Sequence, residues 1–380
     1  MDKYSKTINN IFNLSPLVKD GLKNIEKIDS IFGHPHRSYK IVHVAGTNGK
    51  GSVSCKVARG LELEGFCVGL FISPHISDFR ERITINGKQI SKADVLFLAE
   101  VISNVISREK LKITFFEFIT AMALLYFRQN AVDYVVLETG LGGRLDATNI
   151  ADPVLSIITS IAHDHIDVLG DNLRDIAYEK AGIVKKGRPL VLGPRAQKLG
   201  IEEIAKDKGS SCYKVDSCSG DFVEENNGIA RRALELLGCN DGNITEGLKF
   251  SLPARFERVI YGDREFIFDV AHNPDGLRAL FLKLMSEYGY DRYIVIMGIS
   301  RAKDIEEALS IIEEHASDIY LVDTPNKRCL DPQELASYFK LHKPMVLKDK
   351  APLLAFAEKP VIVCGSCYII STVQDFLGSV

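Results

Sequence analysis

The sequence lacks a long apolar run, an excess of basic residues and an apolar leader, and each absence excludes a class of protein. No uninterrupted apolar stretch reaches the roughly 18 residues that a membrane-spanning helix needs. The 47 Lys and Arg residues against 50 Asp and Glu residues give a formal net charge of −3, which argues against a nonspecific nucleic-acid binder. The first residues are polar, without the apolar core of a signal peptide. We therefore expect a cytoplasmic protein that uses neither a membrane nor a nucleic acid as a partner.

The sequence also lacks internal repeats and low-complexity tracts, and what remains is the composition of a globular protein. Of the 380 residues, 46% are hydrophobic and 26% are charged. This length favours two domains over one. Residues 238–251 are rich in Gly, Asn and Asp, and we interpret them as the approach to a linker at Leu252–Arg258.

Motifs that would form disulfides or bind metals through cysteine are scarce. The eight cysteines are scattered, and we expect reduced thiols in packed positions. One CxxC pair, Cys364 and Cys367, could be a redox pair or half of a zinc site. It follows the last predicted strand, and no second CxxC completes a zinc site, so a structural role is favoured. His34 and His36 flank a proline, and we interpret them as solvated loop residues rather than metal ligands.

A glycine-dense turn between a predicted strand, Ile41–Ala45, and a predicted helix, Val53–Leu63, is the most informative stretch. Such a turn lets backbone N–H groups face an anion closely, and the helix start adds partial positive charge. Lys50 would reach the β- and γ-phosphates of a nucleotide, and Ser52 has a hydroxyl for Mg²⁺. The general P-loop has four residues between its first glycine and the Gly-Lys pair, whereas here two residues separate Gly46 from Gly49. The alternative is a strand-to-helix turn that binds nothing.

Polar side chains also follow three other predicted strands. Ser73 and His75 come directly after one strand, Glu138 ends the next, and His165 follows a third. Ligands of open parallel sheets bind at the carboxyl ends of the strands. Glu138 has the position of the acid on the Mg²⁺ side in nucleotide-hydrolysing folds. His165 is either a metal ligand or a loop histidine.

Other polar residues have two interpretations on the residues alone. The loop from Thr139 to Asn149 is predicted to be flexible and polar, and its composition suggests ligand contact. Thr114 and Glu117 fit a helix capping box, which is sufficient to explain them. Lys180, near a helix C-terminus, is by default a surface cation that interacts with the helix dipole. Arg80 and Arg82, in a predicted hairpin, are either solvated charges or cations that face a ligand.

The strand and helix pattern predicts an α/β fold with two sheets. The N-terminal part is expected to form a P-loop-type, mostly parallel sheet flanked by helices, and the C-terminal part a smaller Rossmann-like sheet. Besides the elements already given, the pattern predicts these strands and helices: Cys67–Ile72, Asp133–Glu138, Val154–Thr159, Leu173–Ala181, Pro189–Leu192, Asn226–Leu237, Glu265–Asp269, Gly276–Glu287, Tyr293–Met297, Ile305–His315, Ile319–Val322, Pro332–Phe339 and Pro360–Cys364.

Motifs spread through most of the chain, from about residue 16 to the end, resemble one family. In order, they are His43–Ser52, Ser73–His75, Arg80–Ile83, Phe115–Glu117, Glu138–Asn149, Asp164-His165 with Leu169-Gly170, Glu179–Ile183, Arg255-Phe256 and Asp269–Pro274. Each is modest alone, but together they resemble the folylpolyglutamate synthase/dihydrofolate synthase family of the Mur ligase superfamily. Ala254 departs from the pattern, because the family often has Gly there.

The resemblance implies an ATP-dependent ligase that adds L-glutamate to dihydropteroate, a reduced folate or both, through an acyl phosphate. It implies ATP and two Mg²⁺ ions as cofactors, with K⁺ as a further candidate, and a monomer. It places an ATP-binding domain with the pterin/folate site at 1–252, a linker at 253–261 and a C-terminal ligase domain at 262–380. A peptidoglycan Mur ligase and a P-loop ATPase binding module remain alternatives. Arg144–Asn149 and Phe115–Glu117 argue for the folate branch.

The resemblance also implies roles for individual residues. The implied ATP contacts are Gly46, Thr47, Asn48, Gly49, Lys50, Gly51, Ser52, Asn226, Arg255, Asp269 and His272. The implied substrate contacts are Thr114, Phe115, Phe116, Glu117, Leu145, Asp146 and Ala147. The implied metal ligands are Ser52, Ser73, Glu138, His165 and Lys180, the last as a carbamate, and the implied catalytic residues are Lys50, His165 and Lys180. A lysine carbamate is a carboxylate on a long stem, so the resemblance replaces the surface-cation interpretation of Lys180.

Overall fold

Each half of the chain forms a sheet flanked by helices in a computed structural model that describes residues 2–15, 21–217, 221–301, 305–324, 328–347 and 359–378. The chain divides into two compact units. The first unit comprises Met1–Ala162 and Leu169–Ser251, and the second comprises His163–Val168 and Leu252–Val380. In the described residues, none of the helices combines the length and apolarity that crossing a membrane requires.

The strands are short and mostly buried. They are β1 (Lys40–Ala45), β2 (Val68–Phe71), β3 (Ile83–Ile85), β4 (Lys88–Gln89), β5 (Tyr134–Glu138), β6 (Leu155–Ile158), β7 (Leu190–Leu192), β8 (Cys212–Lys214), β9 (Glu257–Tyr261), β10 (Arg264–Phe268), β11 (Tyr293–Met297), β12 (Ala316–Leu321), β13 (Met345–Val346) and β14 (Val361–Cys364). The central strands are runs of Val, Ile and Leu, as expected for parallel strands that are covered on both faces.

Several helices begin where a polar side chain caps the first turn. Ser91, Thr114, Asn172, Asn240 and Asn273 each accept a backbone N–H of the helix that follows. The helices are α1 (Lys3–Phe12), α2 (Lys23–Ile31), α3 (Lys50–Leu63), α4 (Lys92–Glu109), α5 (Phe115–Gln129), α6 (Ile166–Leu169), α7 (Leu173–Ala181), α8 (Ile201–Asp207), α9 (Phe222–Leu236), α10 (Asp241–Leu248), α11 (Pro274–Tyr288), α12 (Ile305–His315), α13 (Pro332–Ala336) and α14 (Cys367–Leu377).

The sheet of the first unit places β1 at its centre. Its strand order is β4-β3-β2-β5-β1-β6-β7-β8, and only the β2-β3-β4 pairings are antiparallel. Val44 of β1 pairs in register with Glu138 of β5, so the carboxyl ends of these neighbouring strands lie side by side. Val135 and Leu137 of β5 pack in one core with residues of α4 and α5. This arrangement brings the polar residues after β1, β2 and β5 to one edge of the sheet.

The second unit is built on a six-stranded sheet with the order β13-β12-β11-β14-β10-β9. All pairs are parallel except β9 with β10. Fully buried Phe281 and Tyr293 lie in its core beside residues of α11 and α12. The predicted fold class, an α/β fold with a mostly parallel N-terminal sheet and a smaller C-terminal α/β sheet, is confirmed.

Three local predictions were wrong. Residues 241–248, interpreted as an irregular approach to a linker, form α10. Part of the predicted linker is β9, an antiparallel edge strand. Phe79–Arg82 form a 3-10 helix rather than the start of a hairpin strand. The sequence signal for α10 was masked by Gly247, whose place in the helix is explained by packing: a Cβ there would lie 2.9 Å from the backbone of Gly60 in α3.

Candidate active site

The glycine-dense turn between β1 and α3 has the backbone shape of an anion-binding loop. Gly46 and Gly49 have φ values of 151° and 83°, which side chains rarely allow. A Cβ on Gly46 would lie 1.9 Å from Thr159 Oγ1, and a Cβ on Gly49 would lie 2.3 Å from Asn226 Oδ1. Lys50 opens α3, so the helix begins three residues before its predicted start at Val53 and its N-terminus faces the turn. We call residues Gly46–Ser52 the phosphate loop.

The end of β6 holds the phosphate loop in place. Thr159 Oγ1 donates to the Asn48 carbonyl at 2.6 Å, and Ser160 Oγ donates to the same oxygen at 3.0 Å. The Asn48 N–H in turn donates to Ser160 Oγ at 2.9 Å. Neither Thr159 nor Ser160 was predicted from the sequence to support this loop. Their signal is their position, since two hydroxyl side chains directly follow a buried strand that neighbours β1.

Two lysine side chains reach one carbonyl of the phosphate loop. Lys50 Nζ donates to the carbonyls of Gly46 and Thr47, each at 3.0 Å. Lys180 Nζ, from α7, also donates to the Gly46 carbonyl at 3.0 Å. Lys180 is 3% exposed, so its interpretation as a surface cation was wrong. The two ammonium groups concentrate positive charge where an anion bound by the loop would lie.

Oxygen ligands lie at the neighbouring strand ends. Glu138 is buried at 3% exposure, and its Oε2 accepts the N–H of Ser73, which follows β2, at 3.0 Å. The Thr139 hydroxyl is also buried, and in the described part of the chain it has no hydrogen-bond partner. A buried carboxylate beside hydroxyl groups is the hard-oxygen donor set that Mg²⁺ prefers. The residues at this edge therefore fit a magnesium ion.

The loop after β5 is ordered rather than flexible, and Asp146 organises it. The Asp146 carboxylate accepts the N–H groups of Gly140, Leu141 and Thr148 at 2.8, 2.9 and 3.0 Å, and the Thr148 hydroxyl at 2.5 Å. Burial raises the pKa of this carboxyl group. Leu145 is 53% exposed, whereas Asp146 and Ala147 are buried. Leu145 is therefore open to a ligand, and the oxygens of Asp146 are already used within the loop.

The start of α5 combines a helix cap with an aromatic cluster. Thr114 and Glu117 form the predicted capping box, with the Glu117 N–H donating to Thr114 Oγ1 and the Thr114 N–H donating to Glu117 Oε2. Phe115 stacks on Phe12 with ring centroids 5.0 Å apart. Phe116 packs on Gly140, where a Cβ would lie 2.6 Å from its ring. Substrate contact by these four residues stays a prediction.

Two arginines for which the sequence allowed two interpretations, Arg80 and Arg82, each donate a hydrogen bond to a nearby side chain. Arg80 donates to Asp78 at 2.6 Å. Arg82 is buried at 5% exposure, donates from Nε to His75 Nδ1 at 2.7 Å, and lies over the Phe115 ring at 5.3 Å. Arg82 is therefore not a solvated charge.

The other predicted site residues belong to the second unit. Asp269 is buried at 6% exposure and accepts the N–H groups of Phe256 and Ala271, and burial raises its pKa. The neighbouring Ala254, at the position where the family often has Gly, has a φ of 53°.

The segment that carries His165 packs with the second unit as well. His165 has a φ of 51° and lies beside Asp164. Asp164 Oδ2 accepts from Asn273 Nδ2 at 3.3 Å and lies 3.9 Å from His272 Nε2. The metal role of His165 and the nucleotide roles of Arg255, Asp269 and His272 stay predictions.

The structure also shows the surroundings of two motifs that the sequence did not place in the candidate site. Cys364 and Cys367 are reduced, and burial raises the pKa of Cys364, which disfavours the reactive thiolate. The interpretation of His36 as solvated was wrong, since it is buried, whereas the His34 side chain is partly exposed. The Nδ1 of each lies 2.7 Å from a carboxylate oxygen of buried Asp29.

Comparison with known proteins agrees with this geometry. The Mur ligase middle domain family matches residues 44–208, and the Mur ligase glutamate ligase domain family matches residues 254–367. The chain is 32% identical to a folylpolyglutamate synthase of Lacticaseibacillus casei, over 98% of each chain.

Solved structures resemble the whole chain. A bifunctional folylpolyglutamate synthase/dihydrofolate synthase of Yersinia pestis complexed with AMPPNP and Mn is 30% identical, with a TM-score of 0.88 over 99% of this chain and 98% of that one. E. coli FolC in complex with DHPP and ADP is 28% identical, with a TM-score of 0.88 over 98% and 97% of the two chains. The chain therefore belongs to the folylpolyglutamate synthase/dihydrofolate synthase family of Mur ligases.

Proposed function

We propose that this protein is an ATP-dependent ligase that joins L-glutamate to the carboxylate of dihydropteroate or of a reduced folate. The observation that carries the proposal is the phosphate loop, where the Gly46 carbonyl accepts hydrogen bonds from both Lys50 and Lys180. Glu138 lies at the same edge of the sheet. Relatives that match this chain over nearly their whole length support the proposal, because the Yersinia pestis enzyme is complexed with AMPPNP and Mn. The E. coli enzyme is complexed with DHPP and ADP.

The reaction needs positioning more than it needs a protein nucleophile. The acceptor carboxylate attacks the γ-phosphorus in line, which forms an acyl phosphate and releases ADP. The amine of L-glutamate then attacks the acyl carbon, and the tetrahedral intermediate expels inorganic phosphate and leaves an amide. Lys50, at the start of α3, would hold the β- and γ-phosphates and offset the charge of the transferring group. The backbone N–H groups of the phosphate loop would fix the triphosphate for that attack.

The proposed metal ligands are Ser73 and Glu138 for the first ion and His165 for the second, with Ser52 and the carbamate of Lys180 as further ligands. When bound, Mg²⁺ supplies neutralisation of the phosphate charge. A carbamate would leave one N–H on Lys180 Nζ, so the hydrogen bond to the Gly46 carbonyl could remain while two new oxygens become available as ligands. K⁺ is a further candidate.

The remaining assignments extend the proposal to domains and substrates. Residues 1–252 would bind ATP and the pterin or folate group, 253–261 would link the domains, and 262–380 would form the ligase domain. Asn226, which lies against Gly49, and Arg255, Asp269 and His272 would contact the nucleotide. The substrate contacts proposed from Thr114 to Glu117 and from Leu145 to Ala147 would include the exposed Leu145. We propose that the protein acts in the cytoplasm as a monomer.

The test supplies ATP, Mg²⁺ and L-glutamate with dihydropteroate or tetrahydrofolate in turn, and follows ADP and product mass. We expect sustained turnover of ATP to ADP only when acceptor and glutamate are both present, and the product to gain one glutamate. A peptidoglycan ligase would leave both acceptors unchanged. An ATPase binding module would release ADP without acceptor or glutamate.

A further inference from the structure

A buried hydrogen-bond chain links the strand that carries the phosphate loop to the loop after β5. It starts at His43, in the middle of β1 and three residues before Gly46. His43 Nε2 lies 2.7 Å from Thr148 Oγ1, and both side chains are fully buried. The chain continues to Asp146, whose carboxylate gathers the backbone N–H groups of the loop.

The direction of each hydrogen bond follows from the proton of the threonine. Thr148 Oγ1 donates its single proton to Asp146 Oδ1 at 2.5 Å, so the same oxygen must accept from His43 Nε2–H. Burial lowers the pKa of His43 to about 3, so the ring is neutral at physiological pH. His43 Nδ1 is buried without a hydrogen-bond partner among the residues that the structure describes. His43 is therefore fixed as the Nε2–H tautomer, held through Thr148.

Backbone hydrogen bonds hold other parts of the loop: at its start, the Thr139 N–H donates to the Val44 carbonyl of β1 at 2.9 Å. Glu138 precedes it at the end of β5, and the Arg144 N–H donates to the Glu179 carbonyl in α7 at 2.7 Å. Among the side-chain hydrogen bonds of the described residues, the one from His43 ties the corner at residues 146–148 directly to β1. Beside this corner lies Leu145, which is exposed.

We propose that His43 and Thr148 are positioning residues, which hold the acceptor-side corner Leu145–Thr148 at a fixed depth relative to the phosphate loop. This inference rests on the proposed function, since it takes Leu145 and Ala147 as contacts of the acceptor. Loss of the hydrogen bond would let the corner shift while the phosphate loop keeps its own contacts to Thr159 and Ser160. The affinity for the acceptor would then fall, and the affinity for ATP would not.

The matched variants are Thr148→Val, Thr148→Ser and Thr120→Val. Valine has the shape of threonine without its hydroxyl, and serine keeps the hydroxyl. Thr120, in α5, is equally buried, and in the described part of the chain its hydroxyl has no partner, so Thr120→Val controls for the loss of a buried hydroxyl. We expect Thr148→Val to raise KM for the acceptor at least about tenfold, because it removes the hydrogen bond from His43 and the one to Asp146, with KM for ATP unchanged. Thr148→Ser and Thr120→Val should keep the wild-type KM values.

A spectroscopic readout separates positioning from general destabilisation. In protein labelled with ¹⁵N-histidine, wild-type His43 should show a protonated Nε2 and an unprotonated Nδ1, and Thr148→Val should shift the Nε2 resonance. Thr120→Val should leave it unchanged. The inference is overturned if wild-type protein ligates glutamate and Thr148→Val matches Thr120→Val in acceptor KM, or if Nδ1 carries the proton. If wild-type protein forms no glutamate adduct at all, the proposed function itself fails.

Discussion

At the scale of single residues, Lys180 shows best what the sequence alone misses. Its position near the end of a helix favours a surface cation, yet it is buried against the Gly46 carbonyl. Burial depends on how α7 packs on the phosphate loop, and that packing is set by residues far away in the sequence. Only the family resemblance pointed to the right environment.

Replacing Lys180 with alanine should abolish most ligase activity while the protein stays folded. The carbamate oxygens would be lost, and we expect free acetate to supply a carboxylate and partly restore turnover. Circular dichroism checks the fold, and ADP release with and without acetate measures activity. As a control, wild-type protein should lose activity in buffer stripped of CO₂ and regain it with bicarbonate. Wild-type turnover by Lys180→Ala would contradict the carbamate assignment.

Lys50→Ala should lower the rate of ADP release at least about a hundredfold, because the γ-phosphate loses its main cationic contact. Lys56→Met is the matched control, since Lys56 lies on the same helix and donates to the carbonyls of Leu248 and Phe250. That control should lower stability and keep ADP release dependent on the acceptor. An undiminished rate for Lys50→Ala would refute the role of the phosphate loop.

The stability of the protein should fall in mild acid because buried histidines resist protonation. Burial and the neighbouring Arg82 lower the pKa of His75 to about 4, and burial lowers that of His43 to about 3. An unfolded histidine has a pKa of about 6.5, so the unfolded chain binds more protons than the folded one below that pH. The stability that these neutral histidines contribute is fully present above pH ~6.5 and is lost progressively as the pH falls toward ~4.

Urea unfolding at a series of pH values measures this effect. His75→Gln should reduce the slope of unfolding free energy against pH in that window, and replacement of the exposed His163 in the same way is the control. An unchanged slope in His75→Gln would contradict the assigned cause.

At the scale of elements, the predicted strands agree well with the observed ones because parallel core strands are continuous apolar runs. β11 and α12 have the predicted limits, Tyr293–Met297 and Ile305–His315. α10 was missed because glycine lowers helix propensity, and the reason for Gly247 is tertiary. β9 was missed because an edge strand is half exposed and lacks a clear apolar pattern.

Gly247→Ala should lower the free energy of unfolding by about 1–3 kcal/mol, because its Cβ would press on the backbone of Gly60. Gly242→Ala, in the same helix, should have a smaller or opposite effect, because its Cβ meets only the side chain of Asn240 and alanine favours the helix. Thermal or urea unfolding compares the two variants. A destabilisation of both by the same amount would show that the contact with Gly60 does not matter.

At the scale of the whole molecule, the residues alone predict a nucleotide-binding α/β protein, and the family resemblance supplies the reaction. Strand ends, glycines and Lys50 follow general rules for phosphate binding, so the phosphate loop could be found without a relative. The hydrogen bonds by which Asp146 orders its loop, and the hydroxyls of Thr159 and Ser160 that support the phosphate loop, could not be predicted from the sequence. They depend on the register of neighbouring strands.

The most direct test of the account follows an oxygen atom from the acceptor carboxylate into inorganic phosphate. Wild-type protein is given ATP, Mg²⁺, L-glutamate and an acceptor whose carboxylate carries ¹⁸O, and the phosphate is analysed by mass spectrometry. If the reaction passes through an acyl phosphate, the carboxylate oxygen that bonds to phosphorus leaves with inorganic phosphate when the amide forms. We predict one ¹⁸O atom in the phosphate for every glutamate added, and amide formation with unlabelled phosphate would contradict the account.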